Sequence, residues 1–300
     1  MTNSHTLTGI WTALVTPFHE DGSVDMESFE TLVRRQIDAG IDGVVVFGTT
    51  GESPTLSVQE KLTLVKKVKS MSEGKIRLMA GSGGNNTAQS VELSKLCEAG
   101  GADSLLVVTP PYNKPGLAGL IAHYEAITEA VDIPVMLYHV PARTGAFIDS
   151  EQLAKVLKNP LITAVKEASG DLSYFSKLTT LTDTDLLSGD DFTYVASLAS
   201  GGKGIVSVIT NVFPEAFVEL TKAFRGGEVE KATSIHKILY PFCELLFCEP
   251  NPSPTKYVLS QLGLIKNEVR LPLTTVLREN ETQLMNSYEQ TQKLLKEVIG

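Results

Sequence analysis

The sequence predicts an α/β fold, a (β/α)8 barrel followed by a C-terminal helical extension, and three observations carry that prediction. Short apolar runs rich in β-branched residues recur eight times before about residue 208, amphipathic stretches separate them, and no Gly-x-Gly-x-x-Gly opens the first helix. Apolar runs without polar alternation suit parallel strands buried on both faces. Regular βα alternation allows either an open doubly wound sheet or a barrel, and eight units in roughly 200 residues match the size of a TIM barrel.

In chain order the strands are expected at 10–15, 43–47, 76–80, 104–108, 133–138, 162–166, 185–188 and 204–208. One intervening helix opens on Ser57-Val58-Gln59-Glu60, a capping box, with Leu62, Val65 and Val68 expected on its inward side. Two helices end alike, at Ala39-Gly40 and Ala99-Gly100-Gly101, where glycine suits a left-handed cap. Beyond residue 208 the text turns helical, as at 215–224 and 281–298, interrupted by Glu249-Pro250-Asn251-Pro252-Ser253-Pro254. Residues 1–228 are therefore assigned to the barrel and 229–300 to an extension packed on it, not to an independent domain.

Composition narrows the function classes. With 42% hydrophobic and 20% charged residues the chain reads as globular and soluble, which excludes disordered and fibrous classes. No stretch approaches the roughly 18 to 20 apolar residues of a membrane helix. Met1-Thr2-Asn3-Ser4-His5 lacks the basic start and apolar run of a signal peptide, so a cytoplasmic location is expected. Cys97, Cys243 and Cys248 are odd in number, without a CxxC spacing or a nearby histidine pair, and are expected to be buried, inert thiols and not a disulfide or zinc framework. The net charge of -9 comes with no basic run beyond Lys66-Lys67-x-Lys69, which argues against a nucleic-acid partner. An anionic substrate would have to be met by a few placed groups.

Barrel chemistry sits at the C-terminal ends of the strands. The sixth strand ends Leu161-Ile162-Thr163-Ala164-Val165-Lys166, and burial there disfavours the ammonium and leaves the neutral amine that carbonyl chemistry requires. Taken alone, Lys166 reads equally well as a strand-end cation paired with Glu167 or another carboxylate. Gly48-Thr49-Thr50-Gly51 can aim successive N–H groups and two hydroxyls at one point, a nest for a carboxylate, or can be an ordinary turn. Tyr138 closes the fifth strand, either as a proton donor and acceptor at the barrel mouth or as core packing. Arg143 has the planar fork that grips a carboxylate, although a surface arginine is the default elsewhere.

Gly48-Thr49-Thr50-Gly51-Glu52-Ser53, Tyr112-Asn113-Lys114-Pro115, Tyr138-x-Val140-Pro141-x-Arg143-Thr144-Gly145, Val165-Lys166-Glu167-Ala168, Ser188-Gly189-Asp190-Asp191 and Glu249-Pro250-Asn251-Pro252 stand in an order and spacing that resemble the dihydrodipicolinate synthases across nearly the whole chain. The resemblance places the chain among the pyruvate-dependent aldolases and implies that Lys166 forms an imine with pyruvate while Thr49 and Thr50 hold its carboxylate. It further implies a proton relay of Tyr138, Thr50 and Tyr112, with Tyr112 supplied by a neighbouring subunit. Arg143 would bind the carboxylate of L-aspartate 4-semialdehyde, and Gly189 and Val206 would offer backbone contacts. No cofactor and no metal are implied, and the family's usual assembly is a homotetramer.

Two alternatives share parts of the pattern. A related aldolase, such as N-acetylneuraminate lyase or a keto-deoxy-sugar-acid aldolase, would use Lys166 and Tyr138 with a longer hydroxylated acceptor, against which Arg143 speaks. A non-catalytic pyruvate-binding relative would not need the full set of Lys166, Tyr138, Tyr112, Thr50 and Arg143. One departure from the pattern is His139, where many synthases carry asparagine. The family's lysine-sensitive members also hold lysine with a glutamate, histidines, an asparagine and a tyrosine. Of that set only the asparagine is kept, as Asn85; Gln89, Pro111, Val58 and Lys61 stand at the other positions. Inhibition by lysine is expected to be weak or absent.

Overall fold

Eight parallel strands hydrogen-bond in sequence order and β8 returns to β1, so the sheet closes and the open doubly wound alternative is excluded. This is a computed structural model, which describes residues 6–299. Met1 to His5, on which the expectation about a signal peptide rests, and Gly300 lie outside the described residues.

The barrel strands are β1 (Gly9–Ala13), β2 (Gly43–Val46), β3 (Arg77–Gly81), β4 (Ser104–Val108), β5 (Val135–His139), β6 (Ile162–Glu167), β7 (Asp185–Ser188) and β8 (Gly204–Ser207). Each expected strand is present within one or two residues of its expected ends. Between the strands run α1 (Met26–Ala39), α2 (Val58–Ser72), α3 (Thr87–Ala99), α4 (Leu117–Thr128), α5 (Pro141–Thr144), α6 (Ser150–Val156), α7 (Leu172–Thr179) and α8 (Tyr194–Ala199). Four helices follow β8: α9 (Pro214–Arg225), α10 (Val229–Leu245), α11 (Ser253–Gln261) and α12 (Arg278–Ile299). Helix α10 packs against α9 and α12, which joins the extension to the outer helical layer. Among the described residues no helix is long and apolar enough to cross a membrane.

Successive strand residues point to opposite faces, and the chain accordingly builds two cores. Val44, Val46, Leu78, Leu105, Val107, Leu137 and Val165 face the helices. Trp11, Val45, Met79, Leu106, Met136, Ala164, Leu187 and Val206 fill the barrel interior, so the barrel is packed and its site lies at the mouth.

The local signals hold with three adjustments. The α2 capping box is formed in both directions, but Leu64, not Leu62, is buried beside Val65 and Val68. Leu64, Val65, Val68 and Ser72 follow the 3.6-residue period, which carries Leu62 to the flank. Gly40 takes the left-handed cap of α1; after α3 the same role falls to Gly101, since Gly100 stays right-handed. Cys97 and Cys243 are buried, whereas Cys248 is exposed because it lies in the turn after α10 and not on a packed face.

Candidate active site

Lys166, one residue before the end of β6, is 6% exposed and pairs in register with Tyr138 of β5 and Leu187 of β7. Its Nζ lies 4.2 Å from the centroid of the Tyr138 ring, within cation–π distance. Gly189 permits this approach from the other side. A Cβ there would stand 3.1 Å from Lys166 Cε and 2.5 Å from Ala168 Cβ. Val206 is buried in the same interior cluster as Tyr138.

The acids after β7 crowd this end of the barrel. Burial, followed by the nearby Glu167 carboxylate, pushes the Asp190 carboxyl up to about 6, with Lys166 pulling the other way. Asp191 is buried and accepts the Val208 and Ile209 amides at 3.0 and 3.1 Å. Burial likewise raises its carboxyl above the usual range.

The turn after β2 is tightly built. Phe47 and Glu52 flank it with φ of 39° and 55°, left-handed values that residues with a Cβ rarely adopt. A Cβ on Gly51 would lie 2.8 Å from the Phe47 backbone, so the closed turn requires glycine there. The amides of Gly51, Glu52 and Ser53 are spent on the turn's own carbonyls, at 3.1 to 3.3 Å. The amides that precede them remain available. The successive amides of Gly48, Thr49 and Thr50 have no backbone acceptor among the described residues. Thr50 is buried, and its Oγ1 accepts a hydrogen bond from Asn251 Nδ2 at 2.9 Å.

A cavity of about 650 Å³ opens beside Tyr138, and Thr49, Arg143, Lys61, Asn85 and Gln89 are among the residues that line it with Tyr138. Arg143 sits exposed on α5. Lys166, Thr50, Gly189 and Val206 do not line the cavity, and Tyr138 is the side chain common to it and to the Lys166 cluster. Pro111 also lines it, while Val58 is exposed on α2 and does not. Tyr112 stands apart, 88% exposed, with φ of 69° and its N–H donated to the Thr144 carbonyl at 3.2 Å.

His139 faces away from this cavity, because it alternates with Tyr138 along β5. Its ring stacks on Tyr174 at 5.2 Å. The Ile148 amide donates to Nε2 at 3.4 Å, so Nδ1 carries the ring proton toward Glu167 Oε1 at 3.2 Å. Glu167 also accepts the Ser169 amide at 2.8 Å. The residue that departs from the family pattern thus ties the segment that follows α5 to the strand bearing Lys166, from behind the pocket.

Sequence reasoning missed the partners that reach the β2 turn from the C-terminal segment. Besides Asn251, buried Lys256 pairs with buried Glu52 and donates to the Glu268 carbonyl at 2.8 Å. Burial holds the Lys256 ammonium down at about 8 despite that carboxylate. The Arg270 amide donates to Glu52 Oε2 at 2.9 Å, and its guanidinium spans Glu60 and the carbonyls of Gly22 and Thr55.

Comparison with known proteins places these features in a family. Residues 6–291 match the model of the Dihydrodipicolinate synthetase family. A 4-hydroxy-tetrahydrodipicolinate synthase of Listeria innocua is 45% identical over 277 residues, 91% of this chain and 94% of the relative. The structure of the 4-hydroxy-tetrahydrodipicolinate synthase from Methylacidiphilum fumariolicum superposes with a TM-score of 0.95 at 36% identity, covering 98% of both chains. A chloride-inhibited dihydrodipicolinate synthase from Acinetobacter baumannii, complexed with pyruvate, gives 0.93 at 36% identity over 96% of this chain and 99% of that one.

Proposed function

The chain belongs to the dihydrodipicolinate synthetase family, and we propose that its barrel mouth carries out the family's reaction with Lys166 as the covalent nucleophile. That reaction condenses pyruvate with L-aspartate 4-semialdehyde through a lysine Schiff base to give 4-hydroxytetrahydrodipicolinate, the first committed step of diaminopimelate and lysine biosynthesis. The enzyme is a lyase. The observation that carries the assignment of Lys166 is its burial at the end of β6 against the Tyr138 ring.

The Lys166 amine adds to the keto carbon of pyruvate and water leaves, forming a protonated imine. That imine is the electron sink: when the methyl group gives up a proton, the electron pair passes into the C–N system as an enamine. The enamine attacks the aldehyde carbon of the semialdehyde. The acceptor's amine then displaces Lys166, which closes the ring and frees the lysine.

In this reading the amides and hydroxyls of Thr49 and Thr50 hold the pyruvate carboxylate. Tyr138, Thr50 and Tyr112 pass the protons, and Arg143 grips the acceptor's carboxylate across the cavity. Gly189 and Val206 present backbone to the bound pyruvate. The exposure of Tyr112 supports its working in a neighbouring subunit's site, within a homotetramer in the cytoplasm. Of the described residues, those up to 228 make up the catalytic barrel in this reading and those from 229 the extension packed on it.

A coupled assay with pyruvate and L-aspartate 4-semialdehyde, run beside N-acetylneuraminate cleavage, tests the activity. Turnover of the semialdehyde alone is expected; cleavage of the sugar acid without semialdehyde turnover would assign the barrel to the related aldolases instead.

A further inference from the structure

The turn after β2 is held in a shape that its residues resist. Glu52 sits at φ 55° and ψ 40°, in the left-handed region that a residue with a Cβ rarely adopts, and such strain persists only where the surroundings fix it. Its amide donates to the Thr49 carbonyl at 3.1 Å, and its carbonyl accepts the Thr55 amide at 3.0 Å. If Glu52 swings away, the turn loses its form. What the turn presents is the run of Gly48, Thr49 and Thr50 amides, which have no backbone acceptor among the described residues. Gly48 and Thr49 line the cavity beside Tyr138.

Glu52 does not line that cavity. Its carboxylate is buried against the C-terminal segment, where Oε1 accepts from Lys256 Nζ and Oε2 accepts the Arg270 amide at 2.9 Å. Both side chains of the ion pair are fully buried. Lys256 is itself fixed, since its Nζ donates to the Glu268 carbonyl at 2.8 Å and lies 4.1 Å from the centroid of the Phe18 ring. A buried ion pair is a weak source of stability, because desolvation offsets much of its attraction. It is a good source of direction. A carboxylate with both oxygens taken by donors on a packed segment has one place to sit, and that place sets the backbone of Glu52.

We propose that Lys256 and Glu52 are positioning residues for pyruvate: through this pair and the Arg270 amide, the C-terminal segment sets the β2 turn so that its free amides meet the pyruvate carboxylate. The inference rests on the reading of that turn as the holder of the carboxylate. Neither side chain touches the substrate. Each acts through the backbone between Gly48 and Glu52, and neither contacts Lys166, whose chemistry on β6 is left as it is.

The test compares Lys256→Met, Glu52→Gln and the double variant Lys256→Met/Glu52→Gln in the full-length enzyme, with circular dichroism confirming the fold. Half-saturation by pyruvate is read from reductive trapping of the adduct and from steady-state KM. Lys256→Met is expected to raise it by about 10-fold to 100-fold, as small displacements of positioning groups do. The kcat at saturating pyruvate and the KM for the semialdehyde should stay near those of the unaltered enzyme, the pattern of a lost binding contact. Glu52→Gln keeps an acceptor for Lys256 and for the Arg270 amide, so its shift should be smaller. The double variant leaves no buried charge unpaired and keeps the test alive if Lys256→Met fails to fold. Because the two residues act as one unit, it should shift pyruvate half-saturation no further than Lys256→Met does. A folded variant that is less stable yet binds pyruvate normally overturns the proposal, as does equal damage to both substrates' KM or a double variant whose shift is the product of the single ones. An unaltered enzyme that traps no pyruvate sinks the functional reading itself, an outcome distinct from normal trapping in every variant, which removes the positioning role alone.

Discussion

Tyr138 and Lys166 stand opposite one another in the β5–β6 pairing, with the Lys166 Nζ 4.2 Å from the centroid of the Tyr138 ring. The ring face and the hydroxyl of Tyr138 are thus separable contributions. Tyr138→Phe keeps the face against Lys166 and removes the proton carrier. We expect it to retain the pyruvate adduct, measured by reductive trapping, while kcat falls by about 10² to 10⁴, the range of a lost general acid–base. An unchanged kcat would remove Tyr138 from the relay.

Arg143 lies exposed at the cavity's edge and is not packed under the Lys166 cluster. Truncating it should therefore leave pyruvate chemistry intact. Arg143→Ala is expected to form the imine normally and to lose about 1.5 to 3 kcal/mol in kcat/KM for the semialdehyde, as for a charged hydrogen bond. Steady-state kinetics in each substrate distinguish this from a general loss; equal damage to the pyruvate half-reaction would contradict it.

Among the described residues the cavity's charged lining is Lys61 and Arg143, with no carboxylate. A lysine ligand's ammonium finds no counter-charge there, and Lys61 opposes it. An effector shifts an enzyme only by its differential affinity for two states, so L-lysine should inhibit weakly or not at all. Titrating L-lysine into a steady-state assay settles this, and half-inhibition at sub-millimolar lysine would contradict the reading.

The Arg270 guanidinium holds the Glu60 carboxyl down at about 2, against an ordinary 4.5. A carboxyl depressed in the folded state contributes stability above its unfolded value, and loses it as pH falls from 4.5 through about 2. The shift corresponds to about 3 kcal/mol, which partial exposure of the pair reduces to about 1 to 2. Glu60→Gln keeps a capping-box residue. Chemical unfolding should find it less stable by that amount near neutral pH, with the gap closing at about pH 2. A gap that does not change with pH would show that the ion pair is not its source.

The barrel was legible because strands buried on both faces are written as continuous apolar runs, and Lys166 stood out as a charge closing one of them. Leu62 misled because three positions do not fix a helix face to better than one residue. The β2 turn was read as a nest from its residue types at 48–51, and of those four amides only that of Gly51 is spent inside the turn. Asn251, Lys256 and Arg270 were illegible for a different reason. Their partners lie more than 200 residues away, and no local period or spacing encodes a contact made by a folded-back extension. His139 was visible as a departure, yet only its alternation with Tyr138 in three dimensions shows that it acts behind the pocket.

Lys166 is the residue proposed to carry pyruvate. Borohydride reduction of the enzyme in the presence of pyruvate, followed by peptide mass spectrometry, tests it most directly. One reduced adduct on the peptide bearing Lys166, with activity lost in proportion, is the expected result; an adduct on another lysine, or full activity in Lys166→Ala, would contradict the account.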